Sequence, residues 1–239
     1  MGYLKKSPPV AARTLRVLSR LLSYPDAALR EHLPELATAL RSEAALSTAR
    51  LDELDDLIRW LSASALESGR LAAEEAYVEL FDRGRATSLQ LFEHVHGDSR
   101  ERGPAMIDLA QTFEKAGLFL APGEMPDYLP VVLEFTSTQP PRQARAFLSE
   151  MAHIFNAIFA ALEQRDTRYA SILGALLELS GEKAKPVKVK PEESLDESWE
   201  EPVVFDGCSN KGQSNQNQPQ IIHIVRSNGA NTDKIGVSV

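Results

Sequence analysis

The sequence predicts an all-α fold: a single compact helical bundle with a largely irregular C-terminal tail. Three observations carry this. Leucines and other apolar residues recur at helical spacing from residue 10 to residue 181. Short breaks rich in Pro, Gly and Asp punctuate them. No stretch before residue 182 sustains the period-two alternation of a half-buried strand. Helix following helix with short connections describes a bundle, not a protein of βαβ units.

Residues 1–9 hold Lys5, Lys6, Pro8 and Pro9 without an apolar run, and read as a flexible lead-in. Leu15, Leu18, Leu21 and Leu22 mark the first helix face, and Tyr24-Pro25-Asp26 ends it. Asp26 is placed to cap a second helix towards Leu40, with Pro34 near its start or at a kink. Leu51, Leu54, Leu57, Ile58 and Leu61 form a stripe opposite Asp52, Glu53, Asp55 and Asp56, and Gly69 is expected to break it. Ala72 to Phe81 reads as a further helix, closed at Asp82-Arg83-Gly84 by a left-handed glycine. Thr87 is placed to cap a short helix through Leu89, Leu91 and Phe92 that ends at Gly97. Ser99 opens the next, through Met106, Leu109 and Phe113 to Gly117. Ala121-Pro122-Gly123 is a turn by composition. Pro126 suits the first turn of a helix through Leu129, Leu133 and Phe135. After Gln139-Pro140-Pro141 come two apolar helices, Ala144 to Leu162 and Thr167 to Leu179.

The character changes after Gly181. A basic block of Lys183, Lys185, Lys188 and Lys190 precedes residues 192–206, which carry seven acids and no base around Leu195, Trp199 and Phe205. Beyond Cys208 the chain is rich in Asn, Gln, Ser and Gly. Residues 182–239 therefore read as a charged, then polar, flexible tail behind a helical domain of residues 10–181.

With 239 residues, 43% of them hydrophobic, the chain can bury a sizeable core. Its net charge of -8 argues against nucleic-acid binding, which rests on clustered Lys and Arg. An acidic surface suits a basic polypeptide partner, and equally serves solubility alone. A lone cysteine, Cys208, excludes an intrachain disulfide and fits a reducing compartment. No apolar run approaches the ~20 residues that span a bilayer. The lead-in lacks the apolar core of a secretory signal. The expectation is a cytoplasmic protein without stable membrane insertion.

Catalytic chemistry finds little support. His94 and His96 flank Val95, but residues two apart on a helix do not face each other, so both imidazoles reach one ion only with difficulty. A metal-dependent hydrolase built on them is the enzymatic alternative; histidines at a helix C-terminus, meeting its dipole, are the plain one. Cys208 lies among acids that raise a thiol pKa and blunt a nucleophile. No G-x-S-x-G or P-loop pattern occurs. No catalytic residue, metal ligand or cofactor is assigned.

Two stretches suit recognition of a peptide. Tyr77, Leu80 and Phe81 share one helix face, which is either core or the wall of a groove for an amphipathic helix. Asp127 and Tyr128 sit between Pro126 and Pro130, where a rigid helix start would fix a carboxylate that acts as a cap or meets a basic group.

The residues from Tyr77 to Arg85, continuing through Ala86-Thr87-Ser88-Leu89 and then Phe92-Glu93-His94-Val95-His96-Gly97-Asp98-Ser99-Arg100, resemble the NarJ-type nitrate reductase assembly chaperones. Leu21 to Pro25, Glu124 to Phe135 and the stretch from Trp199 to Cys208 are similar to other parts of that family, the second also to the wider TorD and DmsD group. The resemblance implies an all-helical chaperone that is not a catalyst. It would bind the N-terminal segment of the apo catalytic subunit until the molybdenum cofactor is inserted, before membrane attachment. It also implies a peptide site at Tyr77, Leu80, Phe81, Asp127 and Tyr128. A related chaperone for a different molybdoenzyme client is the alternative. The position of Tyr128 is often His in the family, and a phenol does not titrate near neutral pH.

Overall fold

The computed structural model describes residues 12–63, 67–97 and 99–186. The sequence-based expectations for the lead-in and for the tail beyond residue 186 lie outside these residues. Helix α1 spans Ala12–Leu21, α2 Ala27–Glu43, α3 Thr48–Ala63 and α4 Glu67–Tyr77. A π-helical turn, Val78–Asp82, and a 3-10 turn, Arg85–Thr87, lead to α5, Leu91–His96. Helices α6, Arg102–Lys115, α7, Leu129–Thr138, α8, Pro141–Gln164, and α9, Ala170–Ser180, complete the order. Among the described residues the extended pairing is one isolated antiparallel bridge, Gln90 to Tyr128.

Helix α9 is the axis. Its sequence is apolar almost all round, and every residue from Ala170 to Ser180 is buried except Glu178. Such a helix is stable only when surrounded. It packs against α8 and α3, while α1 lies on α7 and α2. Gly181 closes α9 at φ +84°, with Gly181 N–H donating to the Glu178 carbonyl and Glu182 N–H to that of Leu177. This is a Schellman ending, and it satisfies two carbonyls that the helix leaves over. After it, the buried Asn156 amide donates to the Lys185 carbonyl at 3.0 Å and accepts from the Lys185 N–H at 2.7 Å, fixing the segment to α8.

Several helix starts are capped from a distance. Asp26 caps α2 locally, accepting from Leu29 N–H at 2.7 Å, as its sequence position predicts. For α1 the acceptor is Glu43, in the last turn of α2: it takes Thr14 N–H at 2.6 Å, the Thr14 hydroxyl at 2.9 Å and Arg13 N–H at 3.3 Å. Glu178 of α9 takes Ser47 N–H at 2.5 Å and the Ser47 hydroxyl at 3.0 Å at the start of α3.

Two expectations about boundaries are corrected, and a third is narrowed. Gly69 lies inside α4 and does not end α3, whose last residue is Ala63. Pro130, not Pro126, occupies the first turn of α7, where its missing N–H costs nothing. Of the two places expected for Pro34, the helix start is excluded: it sits well inside α2, where it cannot donate to the Arg30 carbonyl.

Removing the long-range cap should be measurable. Glu43→Ala is expected to lower stability by about 1 kcal/mol, the usual value of a lost helix cap. Urea unfolding should show a lower midpoint with an unchanged slope.

Candidate functional site

The helix α4 does not end in an ordinary cap. At Val78 the backbone widens into the π-turn, closed by Arg83 N–H donating to the Val78 carbonyl at 3.1 Å. The Leu80 carbonyl receives the hydroxyl of Thr87, which is fully buried. Gly84 makes this return possible by its size: an added Cβ would stand 2.6 Å from the Leu80 carbonyl oxygen and closer still to the Thr87 hydroxyl. The expected left-handed glycine is absent, since Gly84 has φ -90°. Thr87 caps nothing downstream and instead ties the chain back to the π-turn.

Tyr77, Leu80 and Phe81 face inward, with 4%, 8% and 4% of their surface exposed. Tyr77 and Phe81 lie tilted against each other at 4.9 Å between ring centres, and both meet Tyr169 edge-on, as does Trp60. The Tyr77 hydroxyl donates to the Leu22 carbonyl at 2.8 Å, at the C-terminal end of α1. Its single proton is thereby committed, so Tyr128, 3.2 Å away, donates to the Tyr77 oxygen. Burial pushes the Tyr77, Tyr128 and Tyr169 phenols above their usual pKa, so all three stay neutral through the physiological range. The Tyr77–Tyr128 contact joins the two stretches that the sequence singled out separately.

Asp127 is fully buried. One carboxylate oxygen accepts Phe92 N–H at 3.2 Å, and its backbone carbonyl accepts Leu91 N–H at 3.0 Å. It therefore caps α5 from a segment 35 residues downstream. Leu129 N–H donates to the Leu89 carbonyl at 2.8 Å, so residues 127–129 run as an extended pair along residues 89–91. The Arg102 guanidinium stands 3.7 Å from the same Asp127 oxygen and 3.3 Å from Glu93. The other oxygen, Oδ1, is buried without a hydrogen bond. Burial raises the Asp127 pKa, against the opposing pull of the Phe92 N–H and Arg102.

The outward side of this unit is a trough of about 700 Å³ along α4. Tyr24, Leu71, Ala72, Ala76 and Val78 supply its apolar surface; Glu74, Glu75, Glu79 and Arg83 supply its charged lining. Leu71 is 60% exposed and Tyr24 43%. Arg30 holds Glu74 at 2.9 Å, and Arg83 holds Glu79 at 3.2 Å. Of the five residues singled out in the sequence, Tyr77, Leu80 and Phe81 form the inside of the wall, Asp127 is buried at the start of α5, and Tyr128 is half-buried beside Tyr77. The outer residues were missed, although Leu71, Ala72 and Ala76 interleaved with Glu74 and Glu75 carry a readable signal. His94 Nε2 hydrogen-bonds the Ser88 carbonyl at 2.8 Å, and His96 meets the Phe92 ring edge-on. Among the described residues no group of three or more His, Cys, Asp or Glu side chains is placed to hold a metal ion.

The stretches that build this wall lie within residues 24–173, which match the family described as nitrate reductase delta subunit. The chain belongs to that family. It is 40% identical over 200 residues to the Escherichia coli K12 nitrate reductase molybdenum cofactor assembly chaperone NarJ, covering 80% of this chain and 83% of that protein. It is 36% identical over 200 residues to the probable chaperone NarW of the same organism, covering 80% of this chain and 82% of that one. The probable Bacillus subtilis NarJ is 34% identical over 164 residues, 69% of this chain and 86% of its own. Among the described residues of this delta-subunit family member, no helix is long and apolar enough to cross a membrane.

Asp127 gives the site a pH signature. Its folded-state pKa is raised, so the folded protein binds this proton more tightly than the unfolded chain does. The group therefore adds stability as pH falls through its folded value, and that contribution is lost as pH rises. Against Asp127→Asn, which cannot titrate, the native protein should gain stability between about pH 7 and pH 4. Paired urea midpoints across that range check the sign. Asp127→Ala should cost about 1 kcal/mol or more at every pH, because α5 loses its cap.

Proposed function

We propose that this protein is a system-specific assembly chaperone for a respiratory nitrate reductase. It binds the N-terminal segment of the apo catalytic subunit and holds it competent for molybdenum cofactor insertion before membrane attachment. The observation that carries this reading is the 40% identity over most of both chains to a protein with that assembly role in its name. The protein acts in the cytoplasm, by binding and not by catalysis. Residues 10–181 are the chaperone body in this reading.

The trough along α4 supports the reading physically. An amphipathic helix buries its apolar face against such a surface, and its basic residues meet carboxylates at the rim. Glu75 and Glu79 stand exposed on that rim, beside Leu71 and Val78. In this proposal Tyr77, Leu80 and Phe81 serve the peptide site as its inner wall, setting the position of α4. Asp127 and Tyr128 serve it by holding the α5 start and the Tyr77 hydroxyl. A neutral phenol at Tyr128 means that release of the peptide is not driven by a proton at this position.

Calorimetric titration with a peptide copying the N-terminus of the cognate catalytic subunit, beside a scrambled control, tests the function. Specific binding at about 1 μM or tighter is expected. No binding would show that the client is wrong, and peptides from other molybdoenzymes then follow. The double substitution Glu75→Lys, Glu79→Lys should weaken binding at least about tenfold and flatten its salt dependence. Unchanged affinity would move the site off the α4 trough.

A further inference from the structure

The π-turn is wider than the helix that leads into it, and something must keep it from narrowing. Arg83 N–H donates to the Val78 carbonyl, five residues back. An α-helix would instead take that N–H to the Glu79 carbonyl, and the next one to the Leu80 carbonyl, each four residues back. Both of these carbonyls are met by side chains from elsewhere. The Leu80 carbonyl receives the Thr87 hydroxyl, and the Glu79 carbonyl receives Arg165 Nη1 at 3.4 Å.

The two donors arrive by different routes. Thr87 returns through the 3-10 turn. Arg165 is the residue at which α8 ends, and Asp166, at φ +48°, turns the chain towards α9. Tyr169 packs on Tyr77 and Phe81, which brings this turn beside the π-turn. Gly84 leaves room for both donors: a Cβ there would stand 3.3 Å from Arg165 Nη1, and closer than that to the Thr87 hydroxyl. A guanidinium carries donors only and stays protonated, so Arg165 keeps donating at any physiological pH.

We propose that Arg165 and Thr87 are positioning residues for the trough along α4. They compete with the helix for its own acceptors, at Glu79 and Leu80, and so keep the turn wide. The wide turn sets where Val78, Glu79 and Arg83 stand at the end of the trough. Neither residue touches the proposed peptide: Thr87 is fully buried, and Arg165 lines a separate pocket with Trp60 and Leu80. Widened turns inside helices occur frequently at functional sites. The link to client binding rests on the function proposed above; the hold on the turn does not.

Nuclear magnetic resonance on the full chain tests it, because the coupling across a hydrogen bond names the acceptor. In the native protein the Arg83 amide nitrogen should couple to the Val78 carbonyl carbon. In Arg165→Ala with Thr87→Val, which lacks both donors, the coupling should pass to the Glu79 carbonyl carbon. Arg165→Lys with Thr87→Ser, which keeps a donor at each carbonyl, should hold it at Val78. Affinity for the peptide copying the N-terminus of the cognate catalytic subunit should fall at least about fivefold in the first pair, the worth of one or two hydrogen bonds, and recover in the second. Where the first pair does not fold, Thr87→Val alone, which keeps the side chain's shape, carries the same test. A coupling that stays at Val78 without the donors would overturn the proposal. So would an unchanged peptide affinity once the coupling has moved. If the native protein does not bind the peptide, the proposed function fails, and the coupling still decides whether the two side chains hold the turn.

Discussion

The Asp127 carboxylate is the constraint around which the middle of the chain is organised. A six-residue helix such as α5 cannot hold itself in water, because nucleation costs more than so few hydrogen bonds return. Here its first N–H groups are taken by the Asp127 side chain and backbone. The same contact makes residues 127–129 extended, and that fixes where α7 begins. Since α7 packs on α1 and Tyr128 touches Tyr77, the position of both ends of the wall follows from one buried group. A buried charge of this kind is expensive unless partnered. Arg102 and the α5 N-terminus provide the partners, and the unsatisfied Oδ1 marks where the compensation is incomplete.

The aromatic cluster plays the complementary part. Tyr77, Phe81, Tyr169 and Trp60 meet edge-on or tilted, arrangements that ring quadrupoles favour over flat stacking. They leave the inner face of α4 immovable without repacking the centre of the bundle. The outer face is acidic and partly apolar, and Glu74 and Tyr24 tie it to the interior, through Arg30 and Tyr77.

Much of the architecture was legible in the sequence because its signals are local. Leucine spacing located α1 to α3, Asp26 announced the start of α2, and the Gln139-Pro140-Pro141 break fixed the start of α8. What was not legible depends on partners far along the chain. Asp127 reads as the acid of a helix that starts beside it, yet it caps a helix 35 residues earlier. Pro126 and Pro130 are equally good first-turn residues, and only the pairing with residues 89–91 selects the second. Thr87 has the composition of a forward cap and bonds backward instead. Helical periodicity grouped Tyr77, Leu80 and Phe81 correctly on one face, but it carries no information about whether that face looks into the core or out to a partner.

The π-turn has a consequence for how this stretch can vary. Residues 78–82 close a ring one residue wider than an α-turn, through the bond from Arg83 N–H to the Val78 carbonyl. Deleting one of them would let the helix continue regularly, but would rotate all that follows by about 100°. Thr87 would then swing away from the Leu80 carbonyl, and the close approach at Gly84 would have no purpose. Exchanging Glu79 or Arg83, which point to solvent, disturbs none of this. Apart from Gly84 and the core-facing Leu80 and Phe81, this stretch is therefore constrained by the number of its residues more than by their kind: a spacer whose length is what counts.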